Sequence, residues 1–305
     1  MTDQRLTIDE ADGMLHMLLM GGEARVWMCR TTAMTQQAAD THLASDTAAA
    51  AMGRFLSGAA VLGATEPEEG SSVTVTVAGG GAGGKMIAVV RGGNLKVAVE
   101  HPQAALPVLQ GRQDVAGFVG ARGQMTVVRD RGAGEPYIGI CSLVSGELGD
   151  DFAQYFTVSE QVPSLVALGC LNQDGVVLSA GGIVIQAMPE CSKHMLSQLE
   201  LRLPFFAGIS RELYDRGMEE LAVRWFDGLD MAIVSHTPLF LRCDCSREKM
   251  RGALIALGPA ELRDILSGGE DTVMTCYFCR SAHVFTPHDI RGMLADVPEE
   301  RDEMH

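Results

Sequence analysis

Four of the eight cysteines in this 305-residue chain form two short pairs near its C-terminus. Cys243 and Cys245 flank one residue in "LRCDCSREKM", and Cys276 and Cys279 flank two residues in "MTCYFCRSAH". Four thiolates from two chain segments supply the tetrahedral shell that zinc prefers, and small zinc modules close their sites in this way. A C-x-C disulfide would instead be strained and easily reduced. We therefore predict one Zn²⁺ per chain, held by these four cysteines.

A shell of four thiolates leaves no open position for a substrate, so the predicted site is either structural or a switch. Zinc-bound thiolates remain nucleophilic, and an oxidant that consumes them destroys the ligand set and releases the metal. His283 and His288 are possible substitute ligands, but four thiols already fill a tetrahedron. Backbone amides after each pair, including those of Ser246 and Arg280, are expected to donate to the sulfurs.

Composition and charge argue for a folded, cytoplasmic protein. Hydrophobic residues make up 47% of the chain, and the formal net charge is −15. Such a charge repels nucleic-acid phosphates and anionic membranes, and no basic patch offsets it. The N-terminus lacks the basic start of a secretory signal, and no stretch approaches the ~20 apolar residues of a membrane span. The remaining cysteines have apolar or small neighbours and are predicted to be buried: Cys29, Cys141, Cys170 and Cys191.

The pattern along the chain predicts an α+β fold in three parts. Residues 1–189 form an N-terminal domain with an antiparallel sheet and packed helices, since one long Ala-rich helix over 35–62 is followed by short β-branched runs between Gly-rich turns. Residues 190–240 form a helical linker that several Pro and Gly residues make metastable. Residues 241–305 form a small C-terminal zinc-binding domain, whose core is too small to fold without metal.

A glycine-rich stretch imitates a phosphate-binding loop. "GGGAGGKM", residues 79–86, matches G-x-x-x-x-G-K, but Met86 stands where a Ser or Thr would hold magnesium. The stretch also leads into a strand-like run, whereas a phosphate site needs a helix N-terminus. We interpret it as a connection between two strands.

Several segments resemble one known family. "CDCS" and "TCYFC" are similar to the zinc motifs of the 33 kDa chaperonin family, the redox-regulated heat-shock holdases of the bacterial cytoplasm. Four further stretches look like the same family and occur in the same order: "EPYIGICSLVSGEL" (135–148), "YFTVSEQVPS" (155–164), "AGGIVIQAMP" (180–189) and "LGPAEL" (257–262).

This resemblance implies an ATP-independent chaperone that is inactive when reduced and zinc-bound. It implies that oxidation forms the disulfides Cys243–Cys245 and Cys276–Cys279, that zinc leaves, and that the linker unfolds. The exposed surface would then bind unfolding client proteins, with a homodimer as the active form. The linker is more apolar than a charged hinge, so we expect it to pack firmly on the core. Four aromatic residues of the linker either bind clients after the linker unfolds or pack against the core in the resting state: Phe205, Phe206, Trp225 and Phe226.

Two other classes of function remain as alternatives. A zinc-ribbon regulator of nucleic acid would use the same four cysteines, but the acidic charge argues against it. A thiol oxidoreductase would use Cys276 and Cys279, but such a motif opens a helix in a βαβ unit, and strand-like residues flank this pair. We therefore predict a binding protein and not an enzyme.

Overall fold

The computed structural model describes residues 11–65, 70–189 and 191–296. The chain divides into two compact units between Arg242 and Cys243. The strands of unit 1 are β1 (Gly13–Leu19), β2 (Ala24–Arg30), β3 (Ser72–Ala78), β4 (Met86–Arg91), β5 (Asn94–Val99), β6 (Gln124–Asp130), β7 (Tyr137–Ser142), β8 (Ser164–Gln173), β9 (Val176–Ala187), β10 (Met231–Pro238) and β11 (Phe240–Leu241). Its helices are α1 (Thr32–His42), α2 (Asp46–Thr65), α3 (Val115–Val119), α4 (Gly149–Val158), α5 (Lys193–Glu200), α6 (Leu203–Phe206), α7 (Ile209–Asp215) and α8 (Met218–Trp225).

Two sheets form the framework of unit 1. The first has the order β10-β1-β2-β9-β8, and all of its neighbouring strands are antiparallel. The second has the order β11-β5-β4-β3-β6-β7 and is antiparallel except where β11 runs parallel to β5. The predicted hairpin across "NQDG" is present as β8 and β9. The α+β class with antiparallel sheets is thus confirmed.

Helix α2 is the centre of the main core. It contacts β8 and β9 of the first sheet and β3, β4 and β5 of the second. Most of its residues are Ala, Gly or other small types, which lets it lie close to both sheets. Contrary to the expectation that no stretch approaches a membrane span, this helix is long and apolar enough to cross a membrane, but 83% of its apolar window is buried inside the fold, as in a core helix.

The prediction of a single long helix over residues 35–62 is wrong, because two helices occupy this stretch. Helix α1 ends at His42, and Leu43 takes a left-handed conformation with φ of 50°. The hydroxyl of Ser45 then accepts a hydrogen bond from the amide of Ala48 and starts α2. The Ala-rich composition hid this break, although Ser45 is a typical N-cap residue.

The glycine-rich stretch is a connection between β3 and β4, as predicted, and not a phosphate site. Its amides are already used: Gly81 donates to the carbonyl of Val119 and Gly83 to that of Phe118. A Cβ on Gly81 would lie 2.4 Å from the Phe118 carbonyl oxygen. The glycines are therefore needed for close backbone packing, and these two amides are not free to bind a phosphate.

The segment predicted as a helical linker contains four helices and also a strand. Helices α5 to α8 pack on one face of the first sheet, and β10 then pairs with β1 along its length. The segment predicted as a helical linker over 190–240 thus contains short helices up to Trp225, but Met231–Pro238 is a strand that was not predicted. The short β-branched run "IVSHT" was the local signal, and its pairing partner lies at the other end of the unit.

Unit 2 is built around the cysteine pairs. It contains α9 (Arg247–Ile255), α10 (Pro259–Ser267), the hairpin strands β12 (Thr272–Thr275) and β13 (Ala282–Phe285), and α11 (Pro287–Asp296). Its core is small, and the buried side chains of its apolar cluster are Leu254, Leu262, Phe285, Ile290 and Met293.

Replacing Gly58 by Ala should destabilise unit 1 by about 1–3 kcal/mol. An added Cβ would lie 2.3 Å from the ring of Phe152, which is fully buried and cannot move aside. This overpacking outweighs the gain of about 1 kcal/mol that Ala brings to a helix interior. Urea unfolding measures the change. Gly149→Ala is the matched control, since its Cβ would lie 3.8 Å from the nearest atom, and equal midpoints for the two variants would contradict the prediction.

Candidate metal centre

The two cysteine pairs meet in one cluster within unit 2. The four sulfur atoms of Cys243, Cys245, Cys276 and Cys279 all lie within 4.8 Å of one another. Cys243 and Cys245 precede α9, which begins when the Ser246 hydroxyl accepts a hydrogen bond from the Lys249 amide. The other pair occupies the turn between β12 and β13. The structure therefore brings together all four predicted ligands.

The spacing of the sulfurs matches a tetrahedral metal shell. Cys243 Sγ lies 3.7 Å from Cys276 Sγ, and Cys245 Sγ lies 3.3 Å from Cys279 Sγ. Zn–S bonds of about 2.3 Å in a tetrahedron place neighbouring sulfurs about 3.8 Å apart. The four thiols can thus surround one metal ion with only small movements.

The turn between β12 and β13 holds its two cysteines by backbone hydrogen bonds. The amide of Arg280 donates to the carbonyl of Cys276, and the amide of Cys276 donates to the carbonyl of Ser281. Arg280 has a φ of 59°, which lets the chain reverse sharply after Cys279. The Arg280 amide, a predicted donor to sulfur, donates to the Cys276 carbonyl and closes the turn.

Other groups donate to the sulfurs. The backbone amide of Cys245 hydrogen-bonds to Cys243, the backbone amide of Ser281 hydrogen-bonds to Cys279, and the Cys279 thiol in turn donates to the Ser281 hydroxyl at 3.3 Å. Such donors stabilise negative charge on sulfur and fix its direction. These groups belong to the residue two positions after Cys243 and to the residue two positions after Cys279, and not to the residue directly after each pair.

Cys243, Cys245 and Cys279 differ in their readiness to ionise. Burial raises the pKa of Cys243 and of Cys245, and the neighbouring thiol of Cys279 raises that of Cys245 further. Burial also opposes ionisation of Cys279, but its hydrogen bonds with Ser281 and the other thiols outweigh burial and lower its pKa to about 6. Cys279 therefore ionises more readily than Cys243 and Cys245.

The remaining cysteines lie outside this cluster. Cys29 and Cys141 are buried, and Cys170 and Cys191 are half-buried. Burial raises the pKa of Cys29 and of Cys170 to about 12, so these thiols stay protonated and unreactive. The predicted burial is thus complete for two of the four and partial for the others.

An arginine ties the helices of unit 2 to the hairpin. Arg247 lies over the ring of Phe285, 4.4 Å from its centroid, and hydrogen-bonds to the carbonyl of Val284. It also forms an ion pair with Asp289, whose carboxylate caps α11 through the amide and hydroxyl of Thr286. Because Arg247 comes two residues after Cys245, these contacts fix the first pair relative to the second.

The two candidate histidines have different positions. His283 is half-buried on β13, and its Nε2 lies 3.7 Å from Cys245 Sγ. His288 is exposed on α11. Neither belongs to the group of four atoms that lie within 4.8 Å of one another.

Comparison with known proteins identifies the family. The family model described as "Hsp33 protein" matches residues 12–286. A "33 kDa chaperonin" of Clostridium botulinum (strain Langeland / NCTC 10281 / Type F) is 35% identical over 295 residues, covering 95% of this chain and 99% of the relative. This chain belongs to the Hsp33 family.

Further Hsp33 relatives support the assignment in sequence and in structure. The "33 kDa chaperonin" of Clostridium tetani (strain Massachusetts / E88) is 35% identical over 93% of this chain and 98% of the relative. The crystal structure of the 33 kDa chaperonin (heat shock protein 33 homolog) from Thermotoga maritima has a TM-score of 0.84 and 27% identity, and covers 94% of this chain and 99% of that one. The predicted family is confirmed, and the protein is a chaperone and not an enzyme.

One Hsp33-like motif has a structural role that the sequence did not reveal. Glu160 of "YFTVSEQVPS" forms an ion pair with Arg129 on β6, and both side chains are largely buried. Arg129 also donates to the carbonyl of Leu62 near the end of α2. The motif thus fastens the end of α4 to the second sheet and the central helix.

Proposed function

We propose that this chain is a redox-regulated, ATP-independent holdase that binds unfolding client proteins when oxidised. In the reduced state, Zn²⁺ is held by Cys243, Cys245, Cys276 and Cys279, and the linker at 190–240 covers the client-binding surface. The observation that carries the proposal is the apolar sheet face beneath helices α5 to α8.

That sheet face is continuous and fully covered. Its buried side chains come from the three strands β1, β2 and β9: Leu15, Met17, Leu19, Ala24, Val26, Met28, Ile183 and Ile185. The covering helices place their own apolar side chains against it: Met195, Leu199, Phe206, Ile209, Leu213, Met218, Leu221, Ala222, Trp225 and Phe226. Release of these helices would expose a surface of the kind that binds unfolded chains.

The aromatic residues predicted for client binding divide into two groups. Phe206, Trp225 and Phe226 are buried between helices and sheet, and the rings of Phe206 and Trp225 pack edge to face with centroids 5.2 Å apart. Phe205 lies on α6 next to Phe206, but its side chain is 53% exposed. The three buried rings therefore support the packing role in the resting state, and they become available only when the linker leaves.

Polar contacts join the linker to the sheet at several points, and one of them is the donation from the guanidinium of Arg30 on β2 to the carbonyl of Leu213 on α7 at 3.4 Å. The amide of Ser192 donates to the carboxylate of Glu23 at 2.9 Å, and the amide of Met20 donates to the carbonyl of Asp230 at 2.6 Å. Most of the attachment is apolar burial, which is nondirectional and does not lock one geometry. Helices α5 to α8 can separate from the sheet while β1, β2, β9 and β8 keep their hydrogen bonds to one another, whereas β10 can leave only by breaking its pairing with β1.

Oxidation provides the trigger in this proposal. Hydrogen peroxide accepts two electrons from each sequential pair, so two thiolates and two protons give one disulfide and two water molecules. The disulfides Cys243–Cys245 and Cys276–Cys279 consume all four ligands, and zinc leaves. The chain then loses the metal that folds unit 2, and the linker that precedes Cys243 is freed. We further propose that the protein acts in the cytoplasm and that its active form is a homodimer.

Peroxide treatment with mild warming should release one zinc per chain, expose Trp225 and increase client protection together. The Trp27→Phe variant leaves Trp225 as the one tryptophan, so that its emission reports the linker alone. A chromophoric chelator measures zinc, and light scattering of a denaturing client measures protection. Cys191→Ala is the control for oxidation outside the cluster. If zinc is released without a red shift of Trp225 or without client protection, the proposal fails.

A further inference from the structure

His283 occupies an unusual place beside the cysteine cluster. Its Nε2 is 3.7 Å from Cys245 Sγ, close to the distance between two ligands of one tetrahedral zinc ion. It reaches the cluster from β13, whereas Cys279 reaches it from the preceding turn. The cluster therefore holds a fifth donor that the four-thiolate shell does not use.

The position of His283 is fixed by the hairpin and not by the metal ligands themselves. Its backbone pairs with Met274 on β12. The two residues that follow it, Val284 and Phe285, contact the guanidinium of Arg247. Loss of one thiolate leaves these anchors in place, so the imidazole stays beside the vacated position.

The chemistry of imidazole suits that position. Zinc accepts a histidine nitrogen at about 2.0–2.1 Å in place of a thiolate at about 2.3 Å, and shells of three cysteines and one histidine are common in structural sites. Removal of the Cys245 sulfur vacates a position 3.7 Å from Nε2.

We propose that His283 is a reserve zinc ligand, which replaces Cys245 when that thiolate is lost. This inference rests on the proposed zinc site and concerns what happens when the site is damaged. With His283 in reserve, loss of Cys245 alone leaves a complete shell of Cys243, Cys276, Cys279 and His283. Loss of a second thiolate is then required to empty the site.

Metal binding by cysteine variants of the full chain tests this inference. The proteins are kept reduced, and Co²⁺ replaces Zn²⁺ as a coloured probe of the ligands. The Cys245→Ala variant should still bind one Co²⁺ per chain, with thiolate charge-transfer absorbance about one quarter lower because three thiolates replace four. Adding His283→Ala to this variant should weaken Zn²⁺ binding at least ~10-fold, since even outer partners of a metal site are worth about 10–100-fold.

Three controls make the result specific. Adding His288→Ala to Cys245→Ala should change nothing, because His288 is exposed on α11. His283→Ala in the otherwise unchanged chain should keep the four-thiolate spectrum. If Cys245→Ala binds no metal, or binds it equally well without His283, the reserve-ligand inference is overturned. If the unchanged chain itself lacks a four-thiolate spectrum, the proposed zinc site fails instead.

Discussion

Removal of the zinc ion that we propose at the cysteine cluster should unfold unit 2 while the core of unit 1 remains folded. The apolar cluster of unit 2 rests on a handful of buried side chains, including Leu262 and Phe285, whereas unit 1 is built around the 20-residue helix α2. Zinc binding in small modules of this type supplies about 10–16 kcal/mol, which far exceeds what so small a core provides. Without metal, the four sulfurs also lose the ion that joins the two cysteine segments.

Hydrogen exchange read by mass spectrometry measures this effect along the chain. After chelation, amides of α9, α10 and α11 should lose their protection, while amides of α2 keep theirs and serve as an internal standard. Cys276→Ala removes the most buried ligand and should give the same pattern without a chelator. Cys191→Ala, a cysteine outside the cluster, should leave protection unchanged. Protected amides in α9 to α11 after complete zinc removal would show that the module folds without its metal.

Replacement of Arg129 by Ala should destabilise unit 1 by about 3–5 kcal/mol, since it leaves the largely buried carboxylate of Glu160 without its ion-pair partner. The guanidinium also hydrogen-bonds to the carbonyl of Leu62 and the hydroxyl of Thr65, so β6 loses its polar attachment to α2 as well. An unpaired buried charge is far more costly than the loss of an ordinary contact.

Urea unfolding followed by tryptophan emission measures this change, because Trp27 and Trp225 both belong to unit 1. Glu160→Gln should also lower the midpoint, since it removes the charge from the other side of the pair. Arg211→Ala is the matched control: its partner Asp215 is one helical turn away and both side chains are exposed, so the loss should be at most about 0.5 kcal/mol. Similar midpoints for Arg129→Ala and Arg211→Ala would contradict the assigned role of the buried pair.

The features that could be predicted from the sequence depend on residues close together in the chain. The hairpin across "NQDG", helix α4 and the connection between β3 and β4 all have local signals of turn, cap or periodicity. The cysteine cluster was predictable for a related reason. The two thiols of each pair are close together in sequence, and a tetrahedral metal site needs two such pairs to lie side by side.

The features that were missed depend on pairings across long distances in sequence. Strand β10 has a weak local pattern and is defined by its pairing with β1. The ion pair between Arg129 and Glu160 joins two elements whose sequences show no sign of each other. The sequence indicated His283 as a possible ligand, but which cysteine it lies beside depends on the register of the β12–β13 hairpin. In each case, the spacing of residues along the chain does not predict the contact, because the contact depends on the tertiary fold.

The pairing of β10 with β1 also determines when the first sheet can be completed during synthesis of the chain. Leu19 pairs with Met231, so more than 200 residues must be added before the outer strand exists. At about 5–20 residues per second, a ribosome needs on the order of 10–40 s to make that stretch. During this interval β1 is an unprotected sheet edge, and the apolar face beneath the later helices is uncovered. The nascent chain of a chaperone thus passes through a stage in which it is itself prone to aggregate.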